Sequence, residues 1–254
     1  MNFKNKNIVI SGASGDIGSI LAKTLYEKGA NITAITHNKT TNYNNINSDL
    51  STVKGINKVC EQLKNIPVDI LINLAGTSYF GPFEKNPNNQ VEKMININLL
   101  APILLTQAVI KTMKKQNSGN IVNIGSIFAS INFAYFAHYS GSKAGLKGFS
   151  EAISRELQST GVFVNYIALR AVNTKFNNQY VLTYAKRTKM KMDSPNYVVN
   201  KIIKSINKNK KNTFVGIFEH IAIYINAIFP SFITVILKKN NNIANMIFKN
   251  KKGE

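Results

Sequence analysis

Short runs of β-branched residues alternate along this chain with longer stretches whose apolar positions recur every three or four residues. Asn7–Ser11 is the first run and predicts a buried strand. Ile17, Ile20, Leu21, Leu25 and Tyr26 then mark one face of a helix, closed by Gly29 at a C′ position. Ile32–Thr36 predicts a second strand, followed by an Asn-rich loop over 38–48. A helix is expected over 51–65, ending before Pro67, and a third strand over Asp69–Asn73. A Gly/Pro-containing loop covers 76–87, a long helical stretch runs from Asn88 to Gln116, and Asn120–Ile124 is the fourth strand. A helix over 137–158, a strand over 162–168 and a last strand over Asn212–Gly216 complete the series. Strand and helix alternate throughout, which predicts an α/β fold: one doubly wound parallel sheet with helices on both faces. No Pro-, Gly- or Ser-rich linker interrupts it, so residues 1–216 read as one domain.

The pattern changes at residue 217. Ile217–Leu237 is dense in Ile and Phe, and its charge-free part, Ile221–Leu237, spans 17 residues. That is the lower edge of the ~17–25 apolar residues a spanning helix needs. Pro230 is expected to split it into two short helices. Lys208, Lys210 and Lys211 precede it and Lys238 and Lys239 follow. Apolar faces with lysine flanks suit a peripheral membrane contact through 217–239. Burial in a subunit interface or over a substrate pocket is the alternative. Residues 217–254 are therefore treated as an apolar, basic C-terminal extension.

Charge sharpens this division. The 254 residues carry 32 Lys and Arg against 12 Asp and Glu, a net +20. Residues 1–174 contribute +8 and residues 175–254 contribute +12. Only three arginines are present, Arg155, Arg170 and Arg187, among many Asn, Ile and Lys. Arginine is the preferred residue for bidentate phosphate and base contacts, so the charge does not predict a nucleic-acid partner. A single cysteine, Cys60, excludes an internal disulfide framework, and three scattered histidines argue against a metal site. MNFKNKNIVI has no secretory pattern, so a cytoplasmic location is expected, peripheral at the inner face of a membrane if the extension binds one.

Two segments carry chemistry. Ser11-Gly12-Ala13-Ser14-Gly15-Asp16-Ile17-Gly18 lies between a strand and a helix. Glycines there let the backbone approach a pyrophosphate, and the helix N-terminus offers free N–H groups to it. Asp16 is expected to point outward and cap the helix. Further on, Tyr139 and Lys143 are four residues apart in Tyr139-Ser140-Gly141-Ser142-Lys143, hence on one helical face, with Ser126 thirteen residues earlier. A neighbouring ammonium lowers a tyrosine pKa and fits the pair for proton transfer.

These segments resemble the short-chain dehydrogenase/reductase family over roughly residues 5–216. The glycine turn is similar to its T-G-x-x-x-G-x-G, with Ser11 for Thr and Asp16 for the middle glycine. Asn73-Leu74-Ala75-Gly76 resembles N-N-A-G, Asp49-Leu50 the pair at the adenine, and Val164-Asn165 the V-N of the sixth strand. Asn98, Ser126, Tyr139 and Lys143 match the catalytic set. The resemblance implies a Rossmann-like fold and hydride transfer between a nicotinamide cofactor and a carbonyl or alcohol. Tyr139 would protonate the carbonyl oxygen, Ser126 would orient it, Lys143 would tune Tyr139 and hold the ribose, and Asn98 would position a water. Gly12, Ser14, Gly15, Ile17, Gly18, His37, Asp49, Leu50, Asn73, Ala75, Gly76, Tyr139, Lys143 and Thr174 would meet the cofactor.

NAD-preferring members place Asp at the end of the second strand. Here Thr36 stands there, with His37 and Lys39 following to receive a 2′-phosphate, so NADP(H) is favoured over NAD(H). Leu169-Arg170 replaces the family's P-G before Thr174. Arg170 is expected either to face an anionic substrate or phosphate, or to form an ion pair. Residues 171–205 are expected to act as a lid. The apolar C-terminus points to an apolar or lipid-like carbonyl compound as substrate, and the resemblance implies a homodimer or homotetramer. A 3-oxoacyl-(acyl-carrier-protein)-type reductase, its basic surface meeting an acidic carrier, and a catalytically idle nucleotide-binding scaffold are the alternatives.

Overall fold

In the computed structural model, residues 2–37 and 42–249 are described. The β-branched runs form a seven-stranded parallel sheet: β1 Asn7–Ser11, β2 Asn31–Thr36, β3 Asn44–Asn47, β4 Ile70–Asn73, β5 Gly119–Ser126, β6 Val162–Leu169 and β7 Asn212–Phe214. The spatial order is β3-β2-β1-β4-β5-β6-β7, so the chain reverses its direction of winding between β1 and β4. At such a switch point the loops after the strands diverge and leave a crevice for a ligand. Ser11 pairs with Asn73 at that place.

Central strands buried on both faces are continuously apolar, as in Ile8-Val9-Ile10 and Ile70-Leu71-Ile72, all at most 1% exposed. Alternate side chains feed two separate cores. Ile8, Ile10 and Ile72 pack with α1 (Asp16–Glu27) and α7 (Pro195–Asn207). Val9 and Leu71 pack with α2 (Val53–Leu63) and α4 (Ala101–Lys115). The doubly wound arrangement expected from the alternation is therefore present.

Three elements differ from the sequence pattern. The Asn-rich loop contains β3, whose Ile46 is 5% exposed and pairs with Ile35 of β2. The long helical stretch is interrupted: α3 (Asn88–Ile95) passes into α4 through a π-turn at Asn96–Leu100. Pro102 has no N–H for the carbonyl four residues earlier, that of Asn98, so the α-helical pattern cannot run through this point. Pro230 does divide the extension, but into α8 (Ile217–Ile228) and the longer α9 (Pro230–Lys249) rather than two short helices. Proline stands at the first position of α9, where its missing N–H costs nothing. The helix continues past Lys238 because Ile243, Ile247 and Phe248 pack with Phe80 and Tyr135. Residues 171–205 are ordered as an extended stretch, α6 (Gln179–Thr188) and the start of α7. α9 packs on α6.

Candidate active site

The turn after β1 is folded onto the turn after β4. Gly12 has φ +71°, and a Cβ on it would lie 2.8 Å from Ala75 Cα. Gly18, in the first turn of α1, presses on the Gly12 carbonyl and leaves no room for a Cβ. Ser11 fastens the two turns: its Oγ accepts the Leu74 and Ala75 N–H groups, each at 3.1 Å. The N-cap of α1 is Gly15, which provides no side-chain cap. Its first N–H groups, at Asp16, Ile17 and Gly18, stand at the wall of a cavity of about 650 Å³. Asp16 does not cap the helix. Its carboxylate accepts the Lys175 backbone N–H at 2.6 Å and so ties the residues after β6 to the glycine turn.

α5 (Ala137–Glu156) carries Tyr139 and Lys143 on its cavity face, and β5 ends at Ser126 opposite them. All three line the cavity. The rings of Phe128, Phe136 and Phe176 surround Tyr139 with centroids 6.1–6.5 Å away. Tyr139 keeps part of its surface open, yet this apolar collar pushes its hydroxyl pKa up to about 12, and a hydrogen bond with Ser126 pulls the other way. Ser126 Oγ also accepts the Phe128 N–H at 3.1 Å, which fixes its rotamer. Lys143 is 5% exposed, and burial holds its ammonium down at about 8. Its Nζ donates to the Ile124 carbonyl at 3.0 Å. The expected lowering of the tyrosine pKa by Lys143 is not seen: burial dominates both groups, moving each toward its neutral form.

Asn98 lies beneath this cluster, fully buried in the π-turn. Its Oδ1 accepts the Thr77 N–H, and its Nδ2 donates to the Thr77 carbonyl and to Ser142 Oγ, all at 2.9 Å. Ser142 Oγ in turn donates to the Tyr139 carbonyl at 2.8 Å. The side chain of Asn98 is thus spent on holding the loop after β4 against α5. Its backbone carbonyl is the one Pro102 leaves without an α-helical partner. Ser142 was not singled out by the sequence pattern, although it sits between Tyr139 and Lys143 at the i+3 spacing that brings it to the same face.

Gly12, Ser14, Gly15, Ile17, Gly18, His37, Asp49, Leu50, Ala75, Gly76 and Thr174 all line the same cavity. Asn73 does not. Its Nδ2 donates to Asn123 Oδ1 at 2.8 Å, and Asn123 Nδ2 donates to Ser150 Oγ at 2.8 Å, so it belongs to a buried polar chain joining β4, β5 and α5. Asp49 accepts the Ser51 N–H at 2.8 Å, and this bond holds its carboxyl below the usual range. Thr36 Oγ1 donates to Asn47 Oδ1 at 3.3 Å at the end of β2. His37 is exposed at the cavity rim, and Lys39 lies outside the described residues. The far wall, missed from sequence, is apolar: Phe128, Phe136, Phe176, Val181, Tyr184 and Met190. Only the three- and four-residue spacing of Val181, Tyr184 and Ala185 on α6 signalled it.

Arg170 resolves as an ion pair. Its Nε and Nη2 donate to the two Asp193 oxygens at 2.7 and 2.6 Å, and Nη1 donates to Glu219 Oε1 at 3.0 Å. These bonds raise the guanidinium pKa further, Asp193 contributing most. The clamp joins the end of β6, the segment leading into α7, and α8 of the extension. Three of its five N–H donors are committed to these carboxylates, and the residue also lines the cavity.

The glycine turn, the uncapped N-terminus of α1 and the Ser126–Tyr139–Lys143 cluster in one crevice suit a dinucleotide and a carbonyl group. The model of the short chain dehydrogenase family matches residues 6–185, and the chain belongs to that family, whose members are NAD(P)-dependent oxidoreductases acting on carbonyl or alcohol groups. It is 31% identical over 186 residues to the 3-oxoacyl-(acyl-carrier-protein) reductase FabG of Salmonella typhimurium, a match covering 68% of this chain and 76% of that one. A 4-hydroxyisoleucine dehydrogenase complexed with NADH is 27% identical with a TM-score of 0.75, covering 83% of this chain and 97% of that one. A short-chain dehydrogenase from Burkholderia cenocepacia in complex with NADP shares the fold, with 19% identity, a TM-score of 0.79, and coverage of 94% and 99%. The extension from residue 217 lies beyond the residues the family model matches.

Proposed function

We propose that the chain is an NADP(H)-dependent reductase of an apolar, lipid-like carbonyl compound. The observation that carries this reading is the convergence of Ser126, Tyr139 and Lys143 between the glycine turn and an aromatic wall. The residues of the turn and α1 fit a pyrophosphate, and Asp49, Leu50, Ala75, Gly76 and Thr174 fit the rest of a dinucleotide. When bound, the nicotinamide supplies or accepts the hydride. Ser126 Oγ orients the carbonyl oxygen and offers it a hydrogen bond. Tyr139, kept protonated by burial, delivers its proton to that oxygen in the reduction direction. Lys143 has one N–H on Ile124 and keeps its other donors for the ligand, whose negative charge would favour the ammonium. Asn98 keeps the loop after β4 and α5 in register and would position a water reaching Lys143.

NADP(H) is supported by Thr36 at the end of β2, where an acid would reject a 2′-phosphate, and by His37 at the rim. An apolar substrate is supported by the Phe128, Phe136, Phe176 and Tyr184 wall. A 3-oxoacyl group on an acidic carrier is a second reading, favoured by the likeness to FabG and by the +12 charge after residue 174. The working form is a homodimer or homotetramer by the habit of the family. The test is oxidation of NADPH and NADH over 3-oxoacyl thioesters, fatty aldehydes, ketones and steroids. A lower KM for NADPH with turnover of at least one long-chain carbonyl is expected. Preference for NADH, or turnover of small polar carbonyls alone, overturns the reading.

A further inference from the structure

α8 and α9 form a helical hairpin with two apolar faces. The inner face is accounted for: Ile223, Ile233 and Ala244 are buried against Phe80, Val181 and Tyr184. The outer face is not. Ile217, Ile221, Tyr224 and Ile228 form one stripe along α8, 53–79% exposed, with Phe218 beside it at 84%. Phe229 at the bend and Phe232, Val235 and Ile236 on the first turns of α9 continue the surface, 54–70% exposed. Taking ~150 Å² for a side chain of this size, these nine expose on the order of 900 Å², above the ~300–600 Å² of the largest patch on a typical monomer.

The charge around this face identifies its occupant. Residues 175–249 contain thirteen lysines and arginines and only two acids, Asp193 and Glu219. Both acids are committed to Arg170. Lys238 and Lys239 follow Ile236 within a turn, and Lys186 and Arg187 are in the last turn of α6, on which α9 packs. A second copy seated on this face would bring the same uncompensated cations against one another. An anionic surface would neutralise them. α8, at 12 residues, is too short to cross a bilayer, and the polar run Lys238–Asn242 interrupts the apolar sequence of α9.

We propose that the α8–α9 hairpin lies in the interface of an anionic phospholipid membrane, with its outer Ile/Phe face inserted and the flanking lysines on the headgroups. Glu219, held by Arg170, faces the body of the protein, so insertion buries no carboxylate in lipid. Val181 and Tyr184 line the catalytic cavity and also pack with the hairpin, so docking sets the cavity wall beside the lipid. Docking is read without turnover and so stands or falls separately from the proposed reaction.

The test is co-sedimentation of the full chain with vesicles of phosphatidylglycerol mixed with phosphatidylcholine, and with phosphatidylcholine alone. The expected result is partition onto the anionic vesicles only, weakened by added salt. The double variant Phe218→Ser, Phe232→Ser should lose roughly tenfold or more of that partition while its circular dichroism and thermal midpoint match the parent. If that variant is unstable, Lys238→Gln with Lys239→Gln should weaken anionic partition instead. Failure of the parent to bind either vesicle, or equal binding to both, overturns the proposal. So does an oligomer, seen by ultracentrifugation without vesicle binding, that the Phe218/Phe232 variant dissociates; a second copy then covers the face.

Discussion

Replacing Arg170 by methionine keeps the aliphatic stem and removes three charge-assisted hydrogen bonds, those of 2.7 and 2.6 Å to Asp193 and 3.0 Å to Glu219. The Arg170 and Asp193 side chains are 11% and 6% exposed and Glu219 is 23% exposed, so water cannot fully take over the two carboxylates. Breaking a buried pair by removing one partner costs about 3–5 kcal/mol. For a domain of this size, at about 2–4 °C per kcal/mol, the thermal midpoint should fall by roughly 6–20 °C. Calorimetry gives the midpoint, and urea denaturation gives the free energy. Hydrogen exchange should localise the loss to α8 and to the segment around Asp193. Combining Arg170→Met with Asp193→Asn should cost less than the two single changes added together, because the second removes the charge the first strands. A loss below about 1 kcal/mol, the range of exposed pairs, would refute the clamp.

Other changes probe the site itself. Ser11→Ala leaves the Leu74 and Ala75 N–H groups without their acceptor and should cost about 1–3 kcal/mol in urea denaturation, with Ser11→Thr close to neutral. The folded Lys143 pKa, about 8, lies below its unfolded value of 10.5. The ammonium is therefore present below about pH 8 and lost above it, so NADPH affinity measured by fluorescence should be level on the acid side and fall as pH rises through that value. Over the interval between the two pKa values the unfolded chain binds more protons, and this group's contribution to stability rises with pH. Lys143→Met should weaken binding and flatten the pH profile; an equally steep profile in the variant would remove Lys143 as the titrating group.

Much of this molecule was legible in residue order. The continuous apolar runs gave the central strands because burial on both faces tolerates no polar alternation, and the i, i+4 spacing of Tyr139 and Lys143 placed them on one face. The glycines at 12 and 18 were legible because close backbone approach has no substitute. What escaped the pattern depends on contacts distant in sequence. β3 is an Asn-rich segment ordered by β2 and by Ile46. Ser11 acts on residues 63 and 64 positions away. Arg170 left two readings open because its partners, 23 and 49 positions on, are fixed only by folding. The rise in the Tyr139 pKa comes from a collar of phenylalanines that no local spacing announces.

In the proposed reaction Tyr139 is the group that moves the proton. Tyr139→Phe keeps the ring among Phe128, Phe136 and Phe176 and removes only the hydroxyl. NADPH binding by fluorescence titration should stay within about threefold of the parent, while turnover of a reducible carbonyl falls about 10²–10⁴-fold, the usual contribution of a positioned acid. Turnover close to that of the parent would contradict the account.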